Sequence, residues 1–346
     1  MANLNCPIPL DRYPQVLLAH GGGGKLSQQL LTQIFLPAFG CPLDQGHDAA
    51  VFAVNHSSLA FTTDSYVINP LFFPGGNIGS LAVHGTVNDL AMAGATPRYI
   101  SVGFILEEGL PMETLWRVAQ SLGQAAKHCD IKVITGDTKV VDRGKGDGIF
   151  INTSGIGSLD HQQIIHPNQV QVGDRLILSG DLGRHGMAIM AVRQGLEFET
   201  TIESDSAPVH REVQALLSAE IPIHCLRDLT RGGLASAVNE IAQTAGVTMA
   251  LRETLIPVEA EVQAACELLG FDPLYVANEG RFLAIVPPTA EQKTIEILQT
   301  FHPQATAIGT VTGKSEQTLG LVSLESSIGA PRLLDMISGE QLPRIC

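Results

Sequence analysis

What most limits the folds open to this chain is the way its apolar segments alternate in length. Leu59–Val67 has the length and branching of a strand, and Gly79–Ala93 reads as a helix stopped by Gly94. Arg98–Leu106 is strand-like again. Pro111–Cys129 reads as a helix, with proline in its first turn and Glu113 nearby. Ile131–Thr135 and Ile149–Gly155 follow as strands. A break containing glycine and proline runs from about Gly157 to Gly173. Beyond it, Arg175–Ser179, Thr248–Leu251, Phe282–Val286 and Ala305–Val311 read as strands. Arg184–Gln194, Gly233–Thr244, Val258–Leu269 and Thr289–Thr300 read as helices. No short-period repeat is present. This predicts an α/β (α+β) chain of two domains, 41–160 and 170–338. A flexible N-terminal segment, 1–40, precedes them, and a mobile tail, 339–346, follows.

Charge removes several functions from consideration. Lys and Arg number 21 against 35 Asp and Glu, a formal net charge of −14. Such a chain has no long-range attraction for nucleic acid or anionic lipid. If it handles phosphates, it needs a divalent cation to admit them. No stretch approaches the ~20 apolar residues of a membrane span, and Met1–Leu10 is too polar for a signal peptide. A cytoplasmic location is expected. The 6 cysteines have no paired close spacing, so free thiols are expected and neither zinc nor disulfides.

The residues that suggest chemistry fall into four groups. His20-Gly21-Gly22-Gly23-Gly24-Lys25 allows close backbone approach to a phosphate, with Lys25 adding charge; a flexible linker would look the same. It lacks the spacing of a Walker motif. Asp48, Asp64, Asp89, Asp137 and Asp228 each stand at an apolar element, flanked by small residues. One such aspartate reads as a cap or turn former, but the set suits Mg²⁺, a hard cation satisfied by a few carboxylates plus substrate phosphates. Asp89 is the sharpest, because its helix has little other polar surface and the carboxylate needs a partner. Lys139 and Glu279 are candidates for charge stabilisation and proton removal; a surface lysine and a turn glutamate are the plain alternatives. Last comes Pro343-Arg344-Ile345-Cys346, an extended end that presents a thiol at its tip.

At these residues the chain resembles the HypE family, the carbamoyl dehydratases of nickel–iron hydrogenase maturation, almost end to end. The resemblance is carried by His20–Lys25, Phe61–Ile68, Pro70–Gly79, Gly103–Pro111, Thr135–Val141, Arg227–Gly233, Ala277–Gly280 and the terminal Pro343–Cys346. The wider superfamily resembles aminoimidazole ribonucleotide synthetase, selenophosphate synthetase and thiamine-monophosphate kinase. The resemblance implies a homodimer joined through the N-terminal domains, with ATP at the cleft. It implies Mg²⁺ at Asp48, Asp64, Asp89 and Asp228. Gly22, Gly23, Gly24, Lys25, Asp64, Asn88, Asp137, Thr138, Arg231 and Gly232 are the candidate nucleotide-binding residues. His47 stands before Asp48 where many superfamily members carry an acidic residue.

The implied reaction converts a thiol-bound carboxamide on Cys346 to a thiocyanate. ATP phosphorylates the carboxamide oxygen, so that phosphate becomes the leaving group. Lys25 and Lys139 would stabilise the transferring phosphoryl group, Glu279 would take the proton, and Asp89 is the second choice for that role. The resemblance also implies HypF as carbamoyl donor and the HypC–HypD complex as cyanide acceptor. A small-molecule enzyme of selenophosphate synthetase type and a non-enzymatic nucleotide-binding scaffold are the alternatives. The first would place a reactive cysteine beside the glycine-rich lysine, where this chain has Gly24.

Overall fold

The computed structural model describes residues 25–30, 32, 49–54, 57–195, 201–315, 320–336, 342, 345 and 346. A short helix, α1 (Lys25–Leu30), precedes β1 (Ala50–Val54) and β2 (Ser57–Tyr66). A small hairpin, β3 (Phe72–Phe73) and β4 (Gly76–Asn77), leads into α2 (Ile78–Met92). Then come β5 (Thr96–Glu107), α3 (Met112–His128), β6 (Lys132–Val141) and β7 (Ile149–Leu159). Among the described residues these strands make a sheet in the order β1-β2-β7-β5-β6, antiparallel except for the parallel β5–β6 pair.

α2 is the pivot of the molecule. Asn77 starts it with a capping box, its side chain accepting from the N–H groups of Gly79 at 2.9 Å and Ser80 at 3.3 Å. Ile78, Leu81, Val83, Val87, Leu90 and Met92 are all buried, and they point all round the helix. A helix apolar on every side belongs in an interior. α2 lies between the first sheet, α3 and the second half of the chain. α3 is amphipathic instead. It buries Val118, Leu122, Ala125 and Ala126, with Glu113 in its first turn and Lys127 and His128 in its last, signs that suit the helix dipole.

The second domain runs β8 (Arg175–Leu178), α4 (Arg184–Gln194), α5 (His210–Ser218), β9 (Cys225–Asp228), α6 (Gly233–Ala245), β10 (Val247–Arg252), α7 (Ala260–Leu269), β11 (Phe282–Val286), α8 (Glu291–Gln299), β12 (Thr306–Lys314), β13 (Leu321–Glu325) and β14 (Pro331–Leu333). Its sheet has the order β14-β13-β10-β12-β8-β11-β9. β11 is buried throughout, which explains its unbroken apolar sequence. Leu283 and Ile285 face the core built on α6, whereas Phe282, Ala284 and Val286 face the one built on α5 and α8.

Several elements differ from expectation, among them α1, β1, β3, β4, β13 and β14, which the apolar pattern did not mark. β6 runs on to Val141 where the pattern predicts an end at Thr135, so Asp137 and Lys139 lie within a strand and not after it. β6 is exposed along nearly its whole length, so burial left no alternation to read. α5 and β9 were not predicted, being short segments of 9 and 4 residues.

Register decides which way the acidic residues of the first sheet face. Asp64 pairs with Thr153, Thr153 with Val102, and Val102 with Gly136. The next row is Ser65, Asn152, Gly103 and Asp137. Adjacent rows point to opposite faces. Thr153 and Val102 are buried beneath the helices, so Asp64 points inward and Asp137 points to the sheet's open face.

Candidate active site

The inward row opens into a cleft between the two domains. Asp64 accepts a hydrogen bond from the Tyr66 hydroxyl at 3.2 Å. Asp89, one turn from the end of α2, accepts from the Thr62 hydroxyl at 2.6 Å, the partner its apolar helix required. Beneath them Thr86 and Thr153 share a hydrogen bond of 2.6 Å. From the other domain, Asp228 ends β9, and the following turn carries Arg231 and Gly232 to the start of α6. Gly232 takes a left-handed φ of 77°, which a side chain would disfavour.

Glu279 completes the acidic set. It is 3% exposed, and its Oε1 has no hydrogen-bond partner within the protein. Its backbone is held firmly. Asp205 Oδ2 accepts from the N–H of Glu279 at 3.1 Å and of Gly280 at 2.9 Å. A Cβ at Gly280 would lie 2.0 Å from the Asp205 carbonyl, so no other residue fits there. The Asn278 side chain accepts from Gly183 N–H at 2.7 Å and donates to the Leu229 carbonyl at 3.1 Å. Next to this turn, a buried ion pair of 2.6 Å joins Arg281 to Asp181.

The terminal residue also lies in the cleft. Ile345 is 4% exposed and packs with Ile68, Phe73, Ile189 and Ala277. Its carbonyl accepts from the His185 ring, and the Cys346 carbonyl accepts from Val67 N–H at 3.0 Å. The sequence predicts a mobile arm over 339–346; in this structure the end of that arm is docked. The Cys346 thiol is within electrostatic reach of Arg231, Glu279, Asp64 and Asp228.

The electrostatics of the cleft are those of crowded acids. Burial raises the Cys346 thiol to about 12, offset by Arg231 and reinforced by Glu279, Asp64 and Asp228. Burial raises Asp64, against the pull of Arg231. Asp228 is raised to about 6, again by burial first, with Arg227 opposing and Asp64 adding to it. Glu279 is raised well above the usual carboxylate range by burial and then by Asp228, Asp205 and Asp64. Arg231 is held charged, first by Cys346 and then by Asp64, Glu279 and Asp89 against its own desolvation.

The other sequence candidates are placed elsewhere. Asp137 and Lys139 form a 2.7 Å ion pair on the open face, each side chain 70% exposed. Thr138 lies between them on the same edge strand. Asn88 joins the domains: it donates to the Ala207 carbonyl at 3.0 Å and accepts from Val209 N–H at 2.8 Å. Lys25 pairs with Asp335 at 2.8 Å. Gly22, Gly23, Gly24 and Asp48 lie outside the described residues.

Sequence reasoning missed Thr62, Tyr66, Asp205 and His185. The only signal for His185 was its place in Gly183-Arg184-His185-Gly186, a turn that starts a helix. Asp205 gave no signal, because its value lies in backbone donors distant in sequence. A groove of about 570 Å³ on the second sheet, lined by Arg175, Ala250, Glu291 and Thr310 among others, includes none of the cleft residues.

Comparison with known proteins identifies the family. Residues 46–159 match the family described as AIR synthase related protein, N-terminal domain, and 171–322 match its C-terminal domain. A relative named carbamoyl dehydratase HypE, from Azotobacter vinelandii, is 49% identical over 339 residues, covering 97% of this chain and 98% of that protein. A solved structure of hydrogenase maturation protein HypE in complex with ATP has a TM-score of 0.80 and 45% identity, covering 96% of this chain and 100% of the other. A solved HypE–HypF complex matches with a TM-score of 0.83 and 40% identity, covering 89% of this chain and 99% of the other. The chain therefore belongs to the HypE carbamoyl dehydratases of the AIR synthase related fold.

Proposed function

We propose that this protein is an ATP-dependent carbamoyl dehydratase acting on a carboxamide carried by its own terminal thiol, Cys346. Its product is a thiocyanate that supplies the cyanide ligand in nickel–iron hydrogenase maturation. The observation that carries this reading is the docking of Cys346 within reach of Asp64, Asp228, Glu279 and Arg231. A structural tail would have no reason to place a thiol among buried carboxylates.

The step is –S–C(=O)–NH₂ + ATP → –S–C≡N + ADP + phosphate. The carboxamide oxygen takes the terminal phosphoryl group and leaves as phosphate, and both protons of the nitrogen are removed. Ile345, held by the His185 ring, fixes the direction from which the Cys346 adduct enters the cleft. Arg231 provides positive charge beside the carboxamide. Glu279 is the proton acceptor: its raised affinity for a proton makes its ionised form a stronger base than a free glutamate, and its Oε1 has no protein partner to displace. Asp89 is second choice for this role, because Thr62 already occupies one of its oxygens.

Among the described residues, no three carboxylate, imidazole or thiol groups already stand together as a metal-ligand set. The charge of the cleft nevertheless fits a divalent cation. Burial raises both Asp64 and Asp228, and the Asp64 charge raises Asp228 further. A cation between them would relieve both. Asp64, Asp89 and Asp228 would hold Mg²⁺, with Asp48 as a further candidate; when bound, Mg²⁺ neutralises and orients phosphate oxygens.

The open face of the first sheet supports a homodimer. Phe61 (39% exposed), Tyr99 (44%) and Ile105 (44%) leave apolar surface on that face, and Ile134 (59%) and Val140 (67%) add more on β6, the strand at its unpaired edge. A second copy there would enclose Asp137, Thr138 and Lys139, which would then reach the nucleotide. HypF is the proposed carbamoyl donor, from the relative solved with it, and HypC–HypD the proposed acceptor. No helix among the described residues is long and apolar enough to cross a membrane, and the proposed location is the cytoplasm.

The test is direct. The thiols are carbamoylated with cyanate, Mg²⁺-ATP is added, and the C-terminal peptide is weighed. Loss of one water from the carbamoylated Cys346 peptide, dependent on ATP and absent in Asp89→Ala, is the expected result. An intact carbamoyl group after ATP hydrolysis overturns the reading.

A further inference from the structure

The docked tail rests on one turn of α4 to which the family match assigns no role. His185 is fully buried and makes directional contacts on both ring nitrogens. Nδ1 lies 2.7 Å from Ser204 Oγ, and Nε2 lies 2.5 Å from the Ile345 carbonyl oxygen. A carbonyl only accepts, so Nε2 carries the proton. The Ser204 hydroxyl accepts from Ser206 N–H at 3.0 Å and so has its own proton free to donate to Nδ1. The chain of donors therefore runs one way, from Ser206 through Ser204 and His185 to the tail. The ring is neutral in this arrangement, as burial favours. Its orientation is fixed further by Phe73, packed edge-on at 5.5 Å, and its backbone N–H donates to Asp205 Oδ1 at 3.0 Å.

The next residue adds a steric seat. A Cβ at Gly186 would lie 2.9 Å from Leu342 Cδ1 and 2.5 Å from Val276 Cγ1. The missing side chain is thus a notch that the Leu342 methyl fills. One turn of helix supplies both a donor for the tail's backbone and a socket for its apolar side chain.

We infer that His185 is a positioning residue whose Nε2–H holds the Ile345 carbonyl and thereby sets the docked state of the tail, with the Gly186 notch seating Leu342. If the tail leaves, that buried Nε2–H loses its acceptor, which disfavours the open state. This deepens the proposed function but is tested without ATP or a carbamoyl group, so either can fail alone.

The test is the alkylation rate of Cys346 in the nucleotide-free full chain, read by mass of the C-terminal peptide after iodoacetamide. His185→Ala is expected to speed labelling by about tenfold or more, the scale of one lost buried hydrogen bond. His185→Gln, whose amide can still donate, is expected to stay within about threefold of the parent. The buried Cys129, Cys225 and Cys266 should remain protected in every variant, which separates release of the tail from general loosening. Labelling of Cys346 at the parental rate in a folded His185→Ala chain overturns the proposal. So does His185→Gln labelling as fast as His185→Ala, because ring packing on Phe73 would then hold the tail. If His185→Ala does not fold, Ser204→Ala and Leu342→Gly decide. Faster labelling in both supports the assignment, and the parental rate in either overturns it.

Discussion

The two faces of the first sheet carry acidic residues that look alike in sequence and are opposite in physics. Asp64 faces inward, half-buried beside the buried Thr153 and Tyr66, and its proton affinity is raised by desolvation. Asp137 lies in the adjacent register row and faces outward, where the Lys139 ammonium holds it below the usual carboxylate range. The inner set brings carboxylates, the Arg231 guanidinium and the Cys346 thiol together. The outer pair has a charge but nothing to act on. On the proposed reading, one chain supplies the acid–base groups and the carboxylates for Mg²⁺, and a second copy on the open face would bring Asp137 and Lys139 to the nucleotide.

The largest expected effect tests the inner half. Glu279→Gln should lower the single-turnover rate of water loss by about 10²–10⁴-fold with nucleotide binding retained, read by mass of the Cys346 peptide. An unchanged rate would move the base elsewhere. Lys139→Ala tests the outer half, with an expected rate loss of about 10²–10³-fold. Because its ion pair is exposed and screened by solvent, the denaturant midpoint should stay close to that of the parent. A large stability loss with normal activity would reverse the two assignments. Ile134→Glu should weaken self-association by about tenfold or more in sedimentation, with the rate falling towards that of Lys139→Ala. If the rate falls while association is intact, the outer half acts within one chain.

The smallest effect concerns acid. His84 on α2 is held at about 4 by burial, with His128 and His210 adding repulsion. Its folded value is below the usual ~6.5. The stability it contributes is therefore complete above about 6.5 and is lost as pH falls from there through 4. His84→Asn should flatten that part of the stability–pH curve, measured by thermal melts across the window. An unchanged slope would assign the acid sensitivity to other groups.

Much of the architecture was legible because burial writes itself into apolar spacing. α2, α3 and β11 could be read for that reason. β6 could not, since a strand exposed along its length has no inside to encode. The same reasoning divides the site. Asp89 stood out as a lone carboxylate in an apolar helix, and the structure gives it Thr62. Asp64 and Asp137 could not be told apart, because strand register is a long-range property and one residue of shift reverses the face. His185 and Asp205 stayed hidden because their partners are backbone groups from other segments, which composition does not mark.

The bond between Val67 and the last carbonyl has a kinetic meaning. In the proposed reaction the reacting group is covalently part of the catalyst and docks in the cleft of its own chain, so the dehydration would be first order. It would have no Michaelis constant for the carboxamide, and dilution would slow it only by separating the proposed dimer. Competitors in solution face a tethered rival at high local concentration. Selection among carboxamides therefore falls to the loading step, when the thiol is outside the cleft, and the cleft itself never has to recognise a free substrate.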